Sequence, residues 1–448
     1  MFFNKKAKKT KEIFFEQKTD IKGMELTAAN LKIVLGGSKD IVFRSLEINA
    51  LHRIPVTLIY IDGLVDSNGI ADFILKPLAE NKVFSQIRSA EEAIREIDKG
   101  AVYYPAQNTR DQIGEVIDDI LNGATALVFD SEKKALVFDA KNFAKRGVTP
   151  PVEESSLKGP KDCFVETFRD NTSIVRRKIK TPNLIIDEVT IGKQTRTTVG
   201  IFYIKGIASQ KIVNEVKKRL NSISIDGLIF MANLEEHFID SKYTPFPQIS
   251  FTEKPDKFCS ELVEGRVGMI VDGYPFSMVV PMTFVDTLQI MDDYNFNFFM
   301  ASGYRILRWV LYFITLFLPG FYVAVTTFHQ EMIPTRLVLS IAESKTGTPF
   351  PIFIEVLLTI AAFNILLQAG VGVWKTIGNT VSIVGALVLG EAAITASLIS
   401  PGVVIVEAIA AIATLAIPSF ELITAAMIWQ LIITVFCSFF GLYGLILA

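Results

Sequence analysis

Apolar positions fall into two regimes along this 448-residue chain. Up to about residue 300 they come in short runs broken by polar turns, the pattern of strands and amphipathic helices around a packed core. "RIPVTLI" and "TRTTVGIF" are extended and partly β-branched. Each runs into a glycine-bearing turn, "YIDGLVDSNGI" from Tyr60 and "YIKGIASQKIV" from Tyr203, and then into a helical pattern. Beyond residue 300 the apolar runs lengthen toward the roughly 20 residues that cross a bilayer. Spans are predicted at Ile306–Phe328, Ile352–Val371, Val381–Ile399, Val403–Pro418 and Ile423–Ala448, the fourth short and the last long.

The first regime repeats. Tyr203 lies 143 residues after Tyr60. "LNGATALVFDSEKKALVFD" from Leu121 parallels "VEGRVGMIVDGYPFSMVVP" from Val263, and the offset from Gly123 to Gly265, and from Asp130 to Asp272, is 142. A constant offset with matched features is the mark of duplication. Each copy reads as strand, turn, helix, further helix and a β-hairpin around a short polar turn, "DSEK" or "DGYP". The expected fold class is therefore an α/β soluble N-terminal region of two duplicated modules, followed by an all-α polytopic membrane domain. The expected organisation is a basic tail over 1–29, modules at 30–155 and 185–300, a linker with one helix over 156–184, and a membrane domain over 301–448. In the linker, Arg176, Arg177, Lys178 and Lys180 end a helix expected from about Phe164 to Ile179. They face acidic lipid or a partner, or simply water.

Charge sharpens the division. Residues 1–300 hold 81 of the Asp, Glu, Lys and Arg residues, whereas residues 301–448 hold 11, none of them Asp. Arg305 and Arg308 precede the first span, Lys375 follows the second, and the N-terminal "NKKAKKTKE" has no apolar stretch behind it to make a signal peptide. The positive-inside bias then places the modules in the cytoplasm. Nothing resembles a nucleic-acid-binding module. Cys163, Cys259 and Cys437 form no metal or redox spacing. The three histidines are scattered and no phosphate loop, dinucleotide fingerprint or nucleophile elbow occurs, so neither enzyme, cofactor nor metal site is expected. A duplicated non-catalytic module suits binding, with the cleft between the copies as a ligand or partner site.

The second regime carries unexpected polar residues. Between the first two spans, residues 332–345 are too short to cross. Leu337, Val338 and Ile341 share one face there, with Thr335 and Ser340 around them; the segment is an interfacial helix, a re-entrant piece lining a pore, or a plain loop. Within the spans stand Glu355, Asn364, Gln368, Glu391 and Glu407. Asn364 and Gln368 lie about 40° apart on a helix and Glu355 about opposite, so no single polar stripe holds all three. Glu355, near its helix start, is expected to reach interfacial water. Asn364 and Gln368 are expected to hydrogen-bond to a neighbouring helix. Glu391 and Glu407 cost several kcal/mol unless paired, protonated or wetted. Ser382, Ala386 and Gly390 give the third span a close-packing face.

Several blocks, "GPKDCFVETFRDNTSIVRRKIKTPNL", "FPQISFTEKPD", "EGRVGMIVDGYPFSMVVP", "TPFPIFIE", "VSIVGALVLGEAAI" and "AIPSFEL", occur in the order in which the GerA family of spore germination proteins has them. The chain resembles the A-type subunit of that family from about Asp40 to Leu422. The resemblance implies a nutrient germinant receptor subunit in the spore inner membrane, a homo-oligomeric ligand-gated ion channel working with B-type transporter-like and C-type lipoprotein subunits. It departs from the family where an Arg-Glu-Ala-Gly-x-Arg-x-Pro block is usual: "LLQAGVGVW" puts Gln368 in the place of the carboxylate. The chain also stops at Ala448 where relatives continue, as a truncated member or a divergent branch such as the stage V sporulation AF proteins would. An accessory sporulation channel without nutrient sensing, and a small-molecule transporter subunit, are the alternative readings.

Overall fold

The structure, a computed structural model, describes residues 23–142, 158–372 and 391–448. Residues 1–22 of the expected basic tail, Lys375, Ser382, Ala386, Gly390 and the side chain of Gln368 lie outside the described residues, as does most of the third expected span. The chain forms two compact units: Met1–Lys242 with Gln248–Met282, and Tyr243–Pro247 with Thr283–Ala448.

The first unit holds two five-stranded sheets. One is ordered β1 (Ile41–Ile48), β2 (Ile54–Ile61), β4 (Thr125–Phe129), β5 (Lys134–Phe138), β3 (Gln107–Arg110). The other is β6 (Leu184–Ile191), β7 (Thr197–Ile204), β9 (Val267–Val271), β10 (Ser277–Val280), β8 (Ser250–Thr252). Numbered within each sheet, the two orders are identical, and every described ladder is antiparallel. The expected duplication is thus the architecture of the unit. Helices cover both faces of each sheet, so the central strands β4 ("TALVF") and β9 ("VGMIV") are buried at every position. That is why they read as unbroken apolar runs. The edge strand β3, "QNTR", is polar and part-exposed, as an edge must be to avoid pairing with another chain.

The repeated glycines have one physical cause. Helix α1 (Ala28–Leu35) opens the first module, and α2 (Ile113–Leu121) leads into β4. Gly123 ends α2 with φ +90°; its N–H donates to Ile120 O and that of Ala124 to Asp119 O. Helices α3 (Phe168–Lys178), α4 (Gln210–Ser222) and α5 (Pro255–Val263) belong to the second module. There Gly265, φ +96°, donates to Leu262 O while Arg266 donates to Glu261 O. Both are Schellman caps, which need a left-handed residue at that position.

The modules join through one buried group. Arg176, on α3, is 1 % exposed and Asp40 is 0 % exposed. The guanidinium grips Asp40 with Nε–Oδ2 2.7 Å and Nη2–Oδ1 2.9 Å, and also donates to Ser38 Oγ at 2.7 Å. Ser38 Oγ donates in turn to Asp40 at 2.6 Å and accepts the Ile186 N–H at 2.9 Å, while Lys39 N donates to Ile186 O. The edge of β6 is thereby tied to the entry of β1. Beside it Ser173 Oγ donates to Gly63 O, and Arg169 bridges Asp62 and Glu188. The outward-facing basic cluster expected in the linker is therefore corrected. Arg176 points inward, Lys178 pairs with Asp162 and Asp256, and Lys180 donates to Asn122. An amphipathic helix puts some of its charges on the inner face when a partner waits there.

The second unit is helical. It comprises α6 (Phe298–Phe328), α7 (Thr335–Lys345), α8 (Ile352–Gly372), α9 (Pro401–Leu415) and α10 (Phe420–Phe440). Only α6 and α10 among the described helices are both long and apolar enough to cross a membrane; α9 and the described apolar part of α8 are shorter. Two expected boundaries change. The first helix begins eight residues before Ile306, because Arg308 and Arg305 close on Asp293 and draw the entry turn into the fold. The last apolar run is two helices: Gly441, φ +59°, stops α10, and Leu442–Leu447 forms a separate short helix. Gly320 lets α6 and α10 approach closely, since a Cβ there would lie 3.1 Å from Cys437 Sγ and from Ile433.

Breaking the joint is expected to be costly. Arg176→Met leaves Asp40 buried and unpaired, which destabilises the two-module unit by about 3–5 kcal/mol, whereas Asp40→Leu with Arg176→Met recovers most of the loss. Hydrogen exchange at the Lys39 and Ile186 amides of the full chain reads this out. Equal protection in the parent and Arg176→Met contradicts it.

Candidate functional site

Helix α7 follows a 3-10 turn at Gln330–Met332 and starts after Pro334, whose extended backbone places it just outside the helix. None of its residues is buried: Thr335 and Leu337 are exposed, and Val338 and Ile341 are half-buried. Leu339, on the opposite side, is exposed as well. An 11-residue amphipathic helix with so little covering within its own unit presents its apolar side to something else.

Glu355 is placed differently from expectation. It stands in the first turn of α8 but is 0 % exposed, so it does not reach water. Its Oε2 accepts the N–H of Ser400 at 2.9 Å and the Oγ–H at 2.7 Å, while Oε1 has no hydrogen-bond partner. Ser400 is the N-cap residue of α9 and Pro401 its first helical residue. A carboxylate from a neighbouring helix thus meets the positive end of α9, a favourable charge-to-dipole arrangement. Gly402 continues that turn, and an added Cβ there would sit 2.7 Å from Tyr322 OH on α6. Tyr322 packs on the apolar cluster of Val323, Val356, Ile360 and Val403 that joins α6, α8 and α9.

Glu407 lies two turns further along α9, 2 % exposed, with Oε1 unpartnered. Its helix buries Val403, Glu407, Ala410, Ala413 and Thr414. Ser400, Glu407 and Thr414 are seven residues apart, so successive ones differ by about 20° and the outer two by about 40° on a helix. Ser400 meets Glu355 of α8, and Thr414 Oγ1 lies 3.4 Å from Thr315 Oγ1 of α6. One polar stripe therefore runs along the seam that α9 makes with α6 and α8. Asn364 is half-buried on α8, and Glu391 is exposed in a helical segment. The structure thus brings Glu355 and Glu407 to one seam and leaves Glu391 apart from it. Sequence reasoning missed Ser400, Thr315 and Thr414; the seven-residue spacing in α9 was the available signal. Among the described residues, no group of three or more His, Cys, Asp or Glu is placed to hold a metal ion.

A second charged knot stands at the entry of α6. Asp293 is gripped by Arg308 and, at 3.2 Å, by Arg305, while Arg308 also donates to Leu288 O. Arg305 lies 4.8 Å from the centre of the Tyr294 ring. Above the knot Phe284 packs against Trp309, Tyr312 and Phe246, and Phe246 stacks on Trp429 of α10.

The family model described as Bacillus/Clostridium GerA spore germination protein matches residues 29–448. Spore germination protein KA of Bacillus subtilis (strain 168) is 36 % identical over 420 residues, covering 94 % of this chain and 76 % of that protein. Spore germination protein B1 of the same organism is 34 % identical over 418 residues, covering 93 % and 85 %. The crystal structure of the N-terminal domain of the A subunit of the Bacillus megaterium spore germinant receptor GerK3 aligns with a TM-score of 0.44 at 32 % identity, covering 57 % of this chain and 93 % of that one.

The bond between α8 and α9 gives a direct test. Hydrogen bonds to a charged group contribute about 1.5–3 kcal/mol. Ser400→Ala is expected to cost that much and to speed hydrogen exchange in the first turn of α9. In Glu355→Ala the same turn loosens further, and adding Ser400→Ala changes little more because both act on one bond pair. Additive effects of the two substitutions contradict the arrangement.

Proposed function

The chain belongs to the GerA family of spore germination proteins, and from that premise we propose that it is the membrane subunit of a germinant receptor whose copies assemble into a ring around an ion path. The carrying observation is α7: an amphipathic helix between two apolar ones, no residue of which is buried. A constriction made of apolar side chains closes by dewetting. In a ring, Leu337, Val338 and Ile341 from each copy meet near the axis, and Thr335 and Ser340 wet the walls. One set of spans encloses no aqueous path, which favours a closed cyclic homo-oligomer. Helices α6 and α10 cross the membrane, α8, α9 and the run from Val381 complete the multi-pass domain, and Arg305 and Arg308 at the entry of α6 keep the two modules cytoplasmic. The modules receive the nutrient signal directly or from B-type and C-type partner subunits, and the chain performs no catalysis.

In liposomes, Val338→Ala and Ile341→Ala widen the constriction and raise ion leak several-fold without nutrient, while Leu339→Ala, pointing away, stays at the parent level. Parent-level leak in all three sinks the pore assignment to α7. Native mass spectrometry is expected to find a single closed oligomer; a monodisperse monomer that still conducts removes the ring.

A further inference from the structure

Glu407 is a buried carboxylate whose Oε1 meets no hydrogen-bond donor among the described residues. Helix α9 runs antiparallel to α6, with Gly402 at Tyr322 and Thr414 at Thr315. Glu407 therefore falls between these levels, opposite the part of α6 that contains Pro319 and Gly320, both buried. Pro319 has no N–H, so the carbonyl of Thr315, four residues earlier, loses the donor that a helix normally provides. Three threonine hydroxyls of α6, α8 and α9 have their protons directed along their own helices. Thr315 Oγ1 donates to Leu311 O at 3.1 Å, Thr414 Oγ1 to Ala410 O at 2.9 Å, and Thr359 Oγ1 to Glu355 O at 2.7 Å. What they turn to the seam is lone pairs. With the unpartnered oxygens of Glu355 and Glu407, the seam is rich in acceptors.

Among the described residues no cation pairs with Glu407. On the described parts of α6, α8 and α9 the only basic residues are Arg305 and Arg308, both held by Asp293. Arg336 and Lys345 sit on α7, where no residue is buried. A buried carboxylate at the level of a helix carbonyl freed from its ladder resembles the arrangement in which membrane proteins hold small cations. Oxygen-only donors select hard ions, and a single carboxylate charge matches a single positive one.

We propose that Glu407, with the carbonyl of Thr315 released by Pro319, forms a site for one monovalent cation within each subunit. The site is separate from the α7 constriction and stands whether or not the ring conducts. Its occupation neutralises Glu407 and holds α9 against α6; its loss leaves a bare buried charge that pushes the two helices apart.

The test uses the full chain in nanodiscs and radiolabelled rubidium ion as the probe. Wild type is expected to bind one rubidium ion per chain, saturably and in competition with potassium. Glu407→Gln lowers that binding at least tenfold. Pro319→Ala restores an N–H to the Thr315 carbonyl and lowers binding several-fold, while Glu391→Gln, on an exposed residue, leaves it unchanged. Should Glu407→Gln fail to assemble, Pro319→Ala and Glu407→Asp carry the decision, because both keep the carboxylate. Absence of saturable binding by wild type overturns the proposal, as does equal binding by wild type and Pro319→Ala. An infrared carboxylic-acid band assigned to Glu407 that persists at saturating rubidium overturns it too, since a proton is then the occupant. Leak through the Val338 and Ile341 variants tests a different site, so either result leaves this one decidable.

Discussion

A charge withdrawn from water needs a partner, and that constraint organises both units. An unpartnered buried ion costs several kcal/mol, a large fraction of a domain's total stability. Arg176 meets Asp40 and Ser38 in the first unit. Arg308 meets Asp293 and Glu355 meets Ser400 in the second. Each pairing joins segments distant in sequence, so each fixes a tertiary relation that apolar packing alone leaves loose. Hydrophobic burial supplies most of the driving force, but it is tolerant of small slides and rotations. A bidentate guanidinium–carboxylate pair tolerates neither. Glu407 departs from the pattern: its Oε1 meets no partner among the described residues.

The two modules share a fold but not this joint. Shifted by the 143-residue repeat, Asp40 corresponds to Asn183, Ser38 to Thr181 and Arg176 to Ile33. None of the ionic partners is reproduced, although the strand order and the Schellman glycines are. Duplication therefore preserved what each module needs to fold and changed what each presents. The joint is made once, between the first module's entry and the second module's leading helix. On the second module, Gly206 corresponds to Gly63, and a Cβ there would meet nothing within 4 Å. The contact that Gly63 makes with α3 is therefore not repeated at Gly206 among the described residues.

Much of this was legible in the sequence, and the misreadings share a cause. Strand and hairpin positions follow from local alternation and turn residues, and the duplication from a constant offset, so both were readable before any tertiary relation was known. Arg176 was not, because a helix with a strongly polar C-terminal turn looks solvent-facing until its partner, 136 residues away, is placed. Glu355 failed in the same way: its angular position opposite Asn364 is sound, but its partner Ser400 lies 45 residues on. Gly441 was hidden by apolar neighbours on both sides, since hydropathy does not register a backbone turn. The stripe through Ser400, Glu407 and Thr414 could be read from spacing alone, although only the structure shows which helices face it.

The position of Glu355 links the seam to α7. Only residues 346–351 separate the end of α7 from the start of α8, and Glu355 stands in the first turn of α8. A tether of six residues spans at most about 20 Å fully extended. The bond from Glu355 to Ser400 therefore limits how far α7 travels relative to α9. A change that slides α9 along its seam moves Ser400, and with it the anchor from which α7 hangs. Breaking that bond bares a buried carboxylate and costs several kcal/mol, so the seam slides only where another donor replaces Ser400, whereas the interlocked approach of α6 and α10 at Gly320 offers no such exchange. Under the proposed function the α6–α10 pair is the frame, and α7, α8 and α9 are the part that moves, with charge partnership deciding between their positions.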